Sequence, residues 1–221
     1  MPDVTFSVIV PTTGRTSLLA TLDSIVEQLE PGDEVIVGCN ADGDFGNAAR
    51  RSMIERAKGT HLLFVDDDDQ FARGAFTTIR RFAQEHPGRI GVFRMRYDNG
   101  LVIWTEPEVR LGNVGSPMLC VPNAPGKLGR WFDPEMPRHG DFAFLRSTAE
   151  LQGEPIFRRE IVAYIRADRR LLRRTSTRIR KLPVRVRYHA RRSRLRRLGP
   201  WLTRRARART ARRSAAPGGR P

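Results

Sequence analysis

The sequence predicts an α/β fold, a mostly parallel sheet flanked by helices with a small antiparallel C-terminal portion. Three observations predict it. Apolar runs alternate with helical periodicities from Val4 to Val65, a β-α-β-α-β order whose right-handed crossovers make the strands parallel. Asp98-Asn99-Gly100, set between two apolar runs, is a hairpin turn signal and marks where pairing becomes antiparallel. The first three strands each end in polar residues, on the one edge where open parallel sheets bind ligands.

Val4 to Val10, closed by Pro11, is a compact run rich in β-branched residues and reads as a buried strand. Leu18, Leu22, Ile25, Val26 and Leu29 then recur at steps of three and four, an amphipathic helix with Thr16 or Ser17 to cap it and Pro31-Gly32 to stop it. Glu34 to Cys39 is a second strand, followed by the polar loop Asn40 to Gly46. Ala49, Met53, Ile54 and Ala57 share one helical face ending at Gly59, and His61 to Val65 is the third strand. Gly74 to Glu85 is helical with Phe76, Ile79 and Phe82 inward; Ile90 to Tyr97 and Leu101 to Thr105 form the hairpin. Met118 to Val121 is one more strand among Gly- and Pro-rich loops, and Asp141 to Leu151 a last helix of the body. Beyond it, Ile161, Val162, Ile165, Leu171 and Leu172 line one side of a basic helix that Pro183 and Pro200 interrupt. From Arg204 the composition is Arg, Ala, Gly and Pro with no apolar face, as in disordered tails.

The formal charge of +16 hides a split. From Arg166 on lie 22 of the 40 Lys and Arg but only Asp168 of the 24 acids, which leaves 18 bases and 23 acids in residues 1–165: the body is −5 and the tail +21. That pattern is an acidic domain with a basic extension. Cys39 and Cys120 are too few for a disulfide framework, and no apolar run approaches the roughly 20 residues a membrane span needs. The expected location is cytoplasmic, with attachment to the inner membrane face as the variant.

The third strand stops in four consecutive carboxylates, Asp66 to Asp69. Like charges this close repel, so a fold that keeps them together neutralises them with a metal ion or with basic groups. Read alone, the run could equally cap the next helix with favourable negative charge.

Phe6-Ser7-Val8-Ile9-Val10-Pro11-Thr12, Gly46-Asn47-Ala48-Ala49-Arg50, Ala57-Lys58-Gly59 and Phe64-Val65-Asp66-Asp67-Asp68-Asp69, in this order, resemble the family 2 nucleotide-sugar glycosyltransferases of the GT-A fold. The resemblance extends to about Asp141 and implies a GT-A-like domain over residues 1–160; composition and spacing add a basic, partly helical extension over 161–203 and a disordered tail over 204–221. It implies an enzyme of hexosyltransferase class, an inverting transferase that moves a sugar from a nucleotide diphosphate sugar to a hydroxyl of a glycan or lipid-linked glycan, as in cell-envelope polysaccharide synthesis. The acidic run looks like the family's DXD motif, with Mg²⁺ or Mn²⁺ as cofactor. Asp68 then binds the metal, Asp66 the metal or the ribose, and Asp69 is a secondary choice for the sugar side. Asp67 belongs to the nucleotide-binding run although strand alternation turns it away.

By the same resemblance Pro11 and Thr12 support base and ribose, and Arg50 reaches the diphosphate or salt-bridges a helix face. The family's second strand usually ends in an Asp that reads the base; here Cys39-Asn40 stands there, and Asn40 or Asp42 would substitute. An inverting transfer needs a base for the acceptor proton. In Trp131-Phe132-Asp133 followed by His139-Gly140-Asp141, Asp141 matches the family's second acid while Gly140 replaces the first. Asp141 is therefore the expected base and His139 the backup; a helix cap is the plain alternative for Asp141. Trp104, Trp131 and Phe132 could stack on an acceptor sugar or serve as core anchors, and Gly112 to Pro117 falls near the acceptor.

The tail's charge suits polyanions. Interleaved Leu171, Leu172, Ile179, Leu195, Leu198, Trp201 and Leu202 suit an anionic membrane surface, and nucleic acid is the less favoured partner. The competing function is a catalytically degenerate transferase-like module whose Arg-rich tail binds nucleic acid or anionic membrane.

Overall fold

A computed structural model describes residues 3–40, 44–165 and 187–189. Asp42 and most of the basic extension and tail lie outside the described residues. The body contains β1 (Phe6–Thr12), α1 (Leu18–Val26), β2 (Glu34–Cys39), α2 (Asn47–Ile54), β3 (His61–Phe64), β4 (Gln70–Phe71) and α3 (Ala75–Glu85). It continues with β5 (Gly91–Tyr97), β6 (Val102–Ile103), a 3₁₀ turn Ser116–Met118, β7 (Leu119–Pro122), α4 (Gly140–Gln152) and β8 (Ile156–Ile165). The strands of the body run in the order β4-β8-β5-β7-β3-β1-β2, with β6 on β5. Parallel pairs β1-β2 and β1-β3 form the half that carries the site, and β7 joins it antiparallel to β3.

Burial on both faces explains the near-continuous apolar strands. Phe6, Val8 and Val10 of β1 and Leu63 of β3 pack on one face with Ile25 of α1 and Phe76, Ile79 and Phe82 of α3. Their neighbours Ile9, Leu62 and Phe64 face the other way, with Met53 of α2 and Phe144 and Leu145 of α4. At the hairpin, Gly100 takes φ 88° and its N–H donates to the Tyr97 carbonyl at 3.0 Å.

One expected element is different. The segment from Ile161 is not helical: it continues β8 to Ile165, parallel to β5 and antiparallel to β4, so the sheet runs through residue 160. The Ile161, Val162 and Ile165 spacing fits a helix face, but Ala72 N–H to Val162 O (2.7 Å) and the long β5 ladder override it.

His61 opens β3 only 7% exposed, with Thr60 Oγ1 3.0 Å from Nδ1 and no partner at Nε2. Burial, helped by the Arg80 charge, pushes its pKa down to about 4 from 6.5. The folded state therefore binds fewer protons than the unfolded chain between those values. Stability is full above pH 6.5 and falls as pH drops towards 4, by up to ~3 kcal/mol from this group. Chemical denaturation of His61→Gln at pH 7.5 and 4.5 should show a smaller acid loss than the wild type.

Candidate active site

Three strand ends and two helix starts meet in one cleft of about 270 Å³. Pro11 and Thr12 from the end of β1, Asn40 after β2, Asp66, Asp67 and Asp68 after β3, Arg50 from α2 and Asp141 from α4 all line it. Asp69 and His139 do not. Asp69 is 6% exposed, its carbonyl accepting from Thr21 Oγ1 at 2.7 Å, and His139 is the exposed N-cap residue of α4.

Local sequence explains the convergence. Gly46 caps α2 at φ 82°, where a Cβ would lie 3.0 Å from Pro11 Cβ, so glycine lets the helix start approach the end of β1. Asp44 accepts from the Ala48 N–H at 2.6 Å, the second hold on that helix start. Asn47 Nδ2 donates to the Pro137 carbonyl at 3.0 Å, tying α2 to the loop that leads into α4. Gly140 packs so closely that a Cβ would collide with the Asn47 amide, the physical reason no acidic side chain fits there. Arg50, one turn into α2, is 4% exposed; it pairs with Asp66 Oδ1, donates to the Phe45 carbonyl at 2.9 Å and lies 4.8 Å from the Trp131 ring centroid.

The acidic run is not an extended strand end. β3 stops at Phe64 and the chain turns at Asp67-Asp68, with the Asp69 N–H donating to the Asp66 carbonyl at 3.2 Å. Asp66 and Asp68 both line the cleft, brought there by the turn: Asp66 meets Arg50, and Asp68 Oδ2 meets Arg15 at 2.6 Å. Asp67, 5% exposed, faces back to β1 and accepts from Thr12 Oγ1 (2.7 Å) and the Thr13 N–H (3.1 Å). The repulsion inferred from sequence is thus offset by two arginines and a hydroxyl. Arg15 and Arg138, which also line the cleft, escaped the sequence reading; only a basic residue two positions past the Thr12-Thr13 strand end could have signalled Arg15.

Asn40 directs its side chain into the loop. With the amide oriented to satisfy its neighbours, it donates to Asp44 Oδ1 at 3.0 Å and accepts from the Gly46 N–H at 2.8 Å. Trp131 and Trp104 are 1% and 3% exposed, so as acceptor platforms they are corrected to core. Trp131 stacks on Phe144 at 4.6 Å, and Trp104 meets Phe157 edge-on. Phe132, 44% exposed, is the aromatic left at the surface of that loop, and Ser116 is the part of the 112–117 segment that lines the cleft.

Burial raises the Asp141 carboxyl above its usual range, and the Asp66 charge adds to this; its hydrogen bond from the Phe142 N–H (2.8 Å), Arg50 and His139 pull the other way. A carboxylate whose proton affinity is raised, facing a charged pair across a cleft, has the profile of a proton acceptor.

Among the described residues no three His, Cys, Asp or Glu side chains form a metal cage of their own. The donor set still suits Mg²⁺ or Mn²⁺, which take one or two carboxylates and complete their shell with phosphate oxygens and water. Asp66 and Asp68 are 44% and 37% exposed at their side chains, and each commits one oxygen to an arginine.

No protein-family model and no curated protein matches the sequence. Solved structures do match in fold. S. aureus TarS 1–349 superposes with a TM-score of 0.58 at 21% identity, over 73% of this chain and 60% of that one. TarS 1–349 in complex with UDP gives 0.54 at 17% identity (73% and 60% covered), and in complex with UDP-GlcNAc 0.51 at 18% (73% and 58%). The chain thus has the α/β fold of the TarS glycosyltransferase and spans about 60% of the length of that fragment. Among the described residues no helix is long and apolar enough to cross a membrane.

Proposed function

We propose that the cleft binds a nucleotide diphosphate sugar and passes the sugar, with inversion, to a hydroxyl of a glycan or lipid-linked glycan, as a family 2-like hexosyltransferase. The observation that carries the reading is Asp141, its carboxyl raised by burial, in one cleft with the Arg50–Asp66 pair and the ends of β1 and β2. The TarS structures with UDP and UDP-GlcNAc support a nucleotide sugar as donor.

In this reading Pro11 and Thr12 seat the base and ribose, and Arg50 and Arg138 face the diphosphate. Asp68 and Asp66 would hold Mg²⁺ or Mn²⁺, which supplies counter-charge to the departing diphosphate. Arg50 keeps Asp66 oriented, because the Phe45 carbonyl holds one edge of its guanidinium and Trp131 packs on one face. Asp141 takes the acceptor hydroxyl proton as the oxygen attacks the anomeric carbon, and Trp131 and Phe144 behind it keep that wall of the cleft dry. The basic tail would hold the enzyme at an anionic membrane face from the cytoplasm, where lipid-linked acceptors lie.

The test is release of nucleoside diphosphate from UDP-sugars by the full chain with Mn²⁺. Asp68→Ala should abolish release, and undiminished release in chelator would contradict the metal. The degenerate-module reading draws on Asn40, whose side chain is spent on Asp44 and Gly46; it gains if the chain binds RNA or anionic vesicles and turns over no donor.

A further inference from the structure

The cleft's two arginine–carboxylate pairs are built differently. Arg50 is fixed: 4% exposed, bonded to Phe45 and packed on Trp131. Arg15 lies in the loop after β1 with its side chain 54% exposed, held by Asp68 Oδ2 at 2.6 Å and more loosely by Asp67 Oδ1 at 3.7 Å. An exposed ion pair of this kind is weak and readily exchanged.

We propose that Arg15 is an exchangeable counter-ion of the donor site. It occupies Asp68 in the free protein, then leaves that carboxylate when a divalent cation and a diphosphate enter together, and turns its guanidinium to the diphosphate oxygens. The inference rests on the proposed donor site. Charge balance favours it. The lining residues Asp66, Asp67, Asp68 and Asp141 face Arg15, Arg50 and Arg138, one negative charge in excess, so a bare diphosphate meets no net attraction. A dication and a diphosphate of two negative charges leave that sum unchanged while moving Arg15 from a carboxylate to phosphate, which its planar fork also matches.

The exchange gives Arg15→Gln two responses of opposite sign. Without nucleotide, the full-length variant should bind Mn²⁺ about twofold to fivefold more tightly than the wild type, read from loss of the free Mn²⁺ paramagnetic resonance signal, because no guanidinium competes for Asp68. With Mn²⁺ present, it should bind UDP about threefold or more weakly by calorimetry, because a phosphate partner is lost. Arg15→Lys, which keeps the charge, should stay near the wild type for Mn²⁺. A structural role alone would not move the two affinities in opposite directions. Unchanged Mn²⁺ affinity in a folded Arg15→Gln, or undiminished UDP affinity, overturns the inference and leaves the donor site standing. A wild type that binds neither UDP nor GDP with Mn²⁺ counts against the donor site itself, and the inference falls with it.

Discussion

Asp141→Asn should lower sugar transfer by about two to four orders of magnitude, the usual contribution of a positioned general base, and at the same time raise the melting temperature near neutral pH. The two effects share one cause. Burial raises the Asp141 carboxyl in the folded protein, so between its ordinary value of 3.8 and its raised value the folded state holds more protons than the unfolded chain. Stability therefore falls as pH rises through that window, and above it the ionised Asp141 is a standing cost. Asparagine removes the charge and keeps an oxygen for the Phe142 N–H. Donor binding should survive, since none of the donor groups assigned above, on β1, α2, the Asp66–Asp68 turn and Arg138 in the loop before α4, is altered. The check is a pair of measurements on one variant, kcat with a UDP-sugar and a melt at pH 7.5. The wild-type pH–rate profile should rise above the ordinary carboxyl range, the raised Asp141 setting its acid limb. A variant that loses activity and also loses stability would make Asp141 a first-turn acid that stabilises the start of α4 through its charge.

Arg50→Ala should be the most damaging change in the cleft wall. It strands Asp66 without its partner, removes the bond to the Phe45 carbonyl and opens a void against Trp131. Breaking one side of a well-buried pair costs on the order of 3 kcal/mol. Asp66 is 44% exposed, so water softens its share, and a loss of about 2 kcal/mol with at least tenfold weaker nucleotide binding is the expectation. Arg50→Lys should rescue the charge but not the binding, because lysine cannot serve Phe45 and Asp66 with one planar group. Urea melts and nucleotide titrations of both variants check this.

How far the sequence reveals this site depends on which interactions are local. The strands ending at Thr12, Cys39 and Phe64 announce themselves by apolar runs, and parallel order alone brings their ends to one edge. Asp141 was named by its match to the second acid of the family's motif, and the fold places it in the cleft at the start of α4. Arg15 and Arg138 were not, since their value lies in where loops carry them. Trp131 shows the same limit from the other side: as a loop aromatic it suits a sugar platform or a core anchor, and Phe64, far away in sequence, with Phe144 of α4 decides for the core. Ile161 to Ile165 became strand because the partner β5 lies some 65 residues earlier, beyond any local periodicity.

The most direct test of the donor cleft is a thermal-shift titration of the full chain with UDP, GDP, ADP and CDP, each with and without Mn²⁺. Stabilisation by at least one nucleoside diphosphate, strengthened by Mn²⁺ and lost in Asp68→Ala, is the expected result. No shift with any of the four, in a folded protein and with Mn²⁺ present, would contradict a nucleotide-sugar site in this cleft.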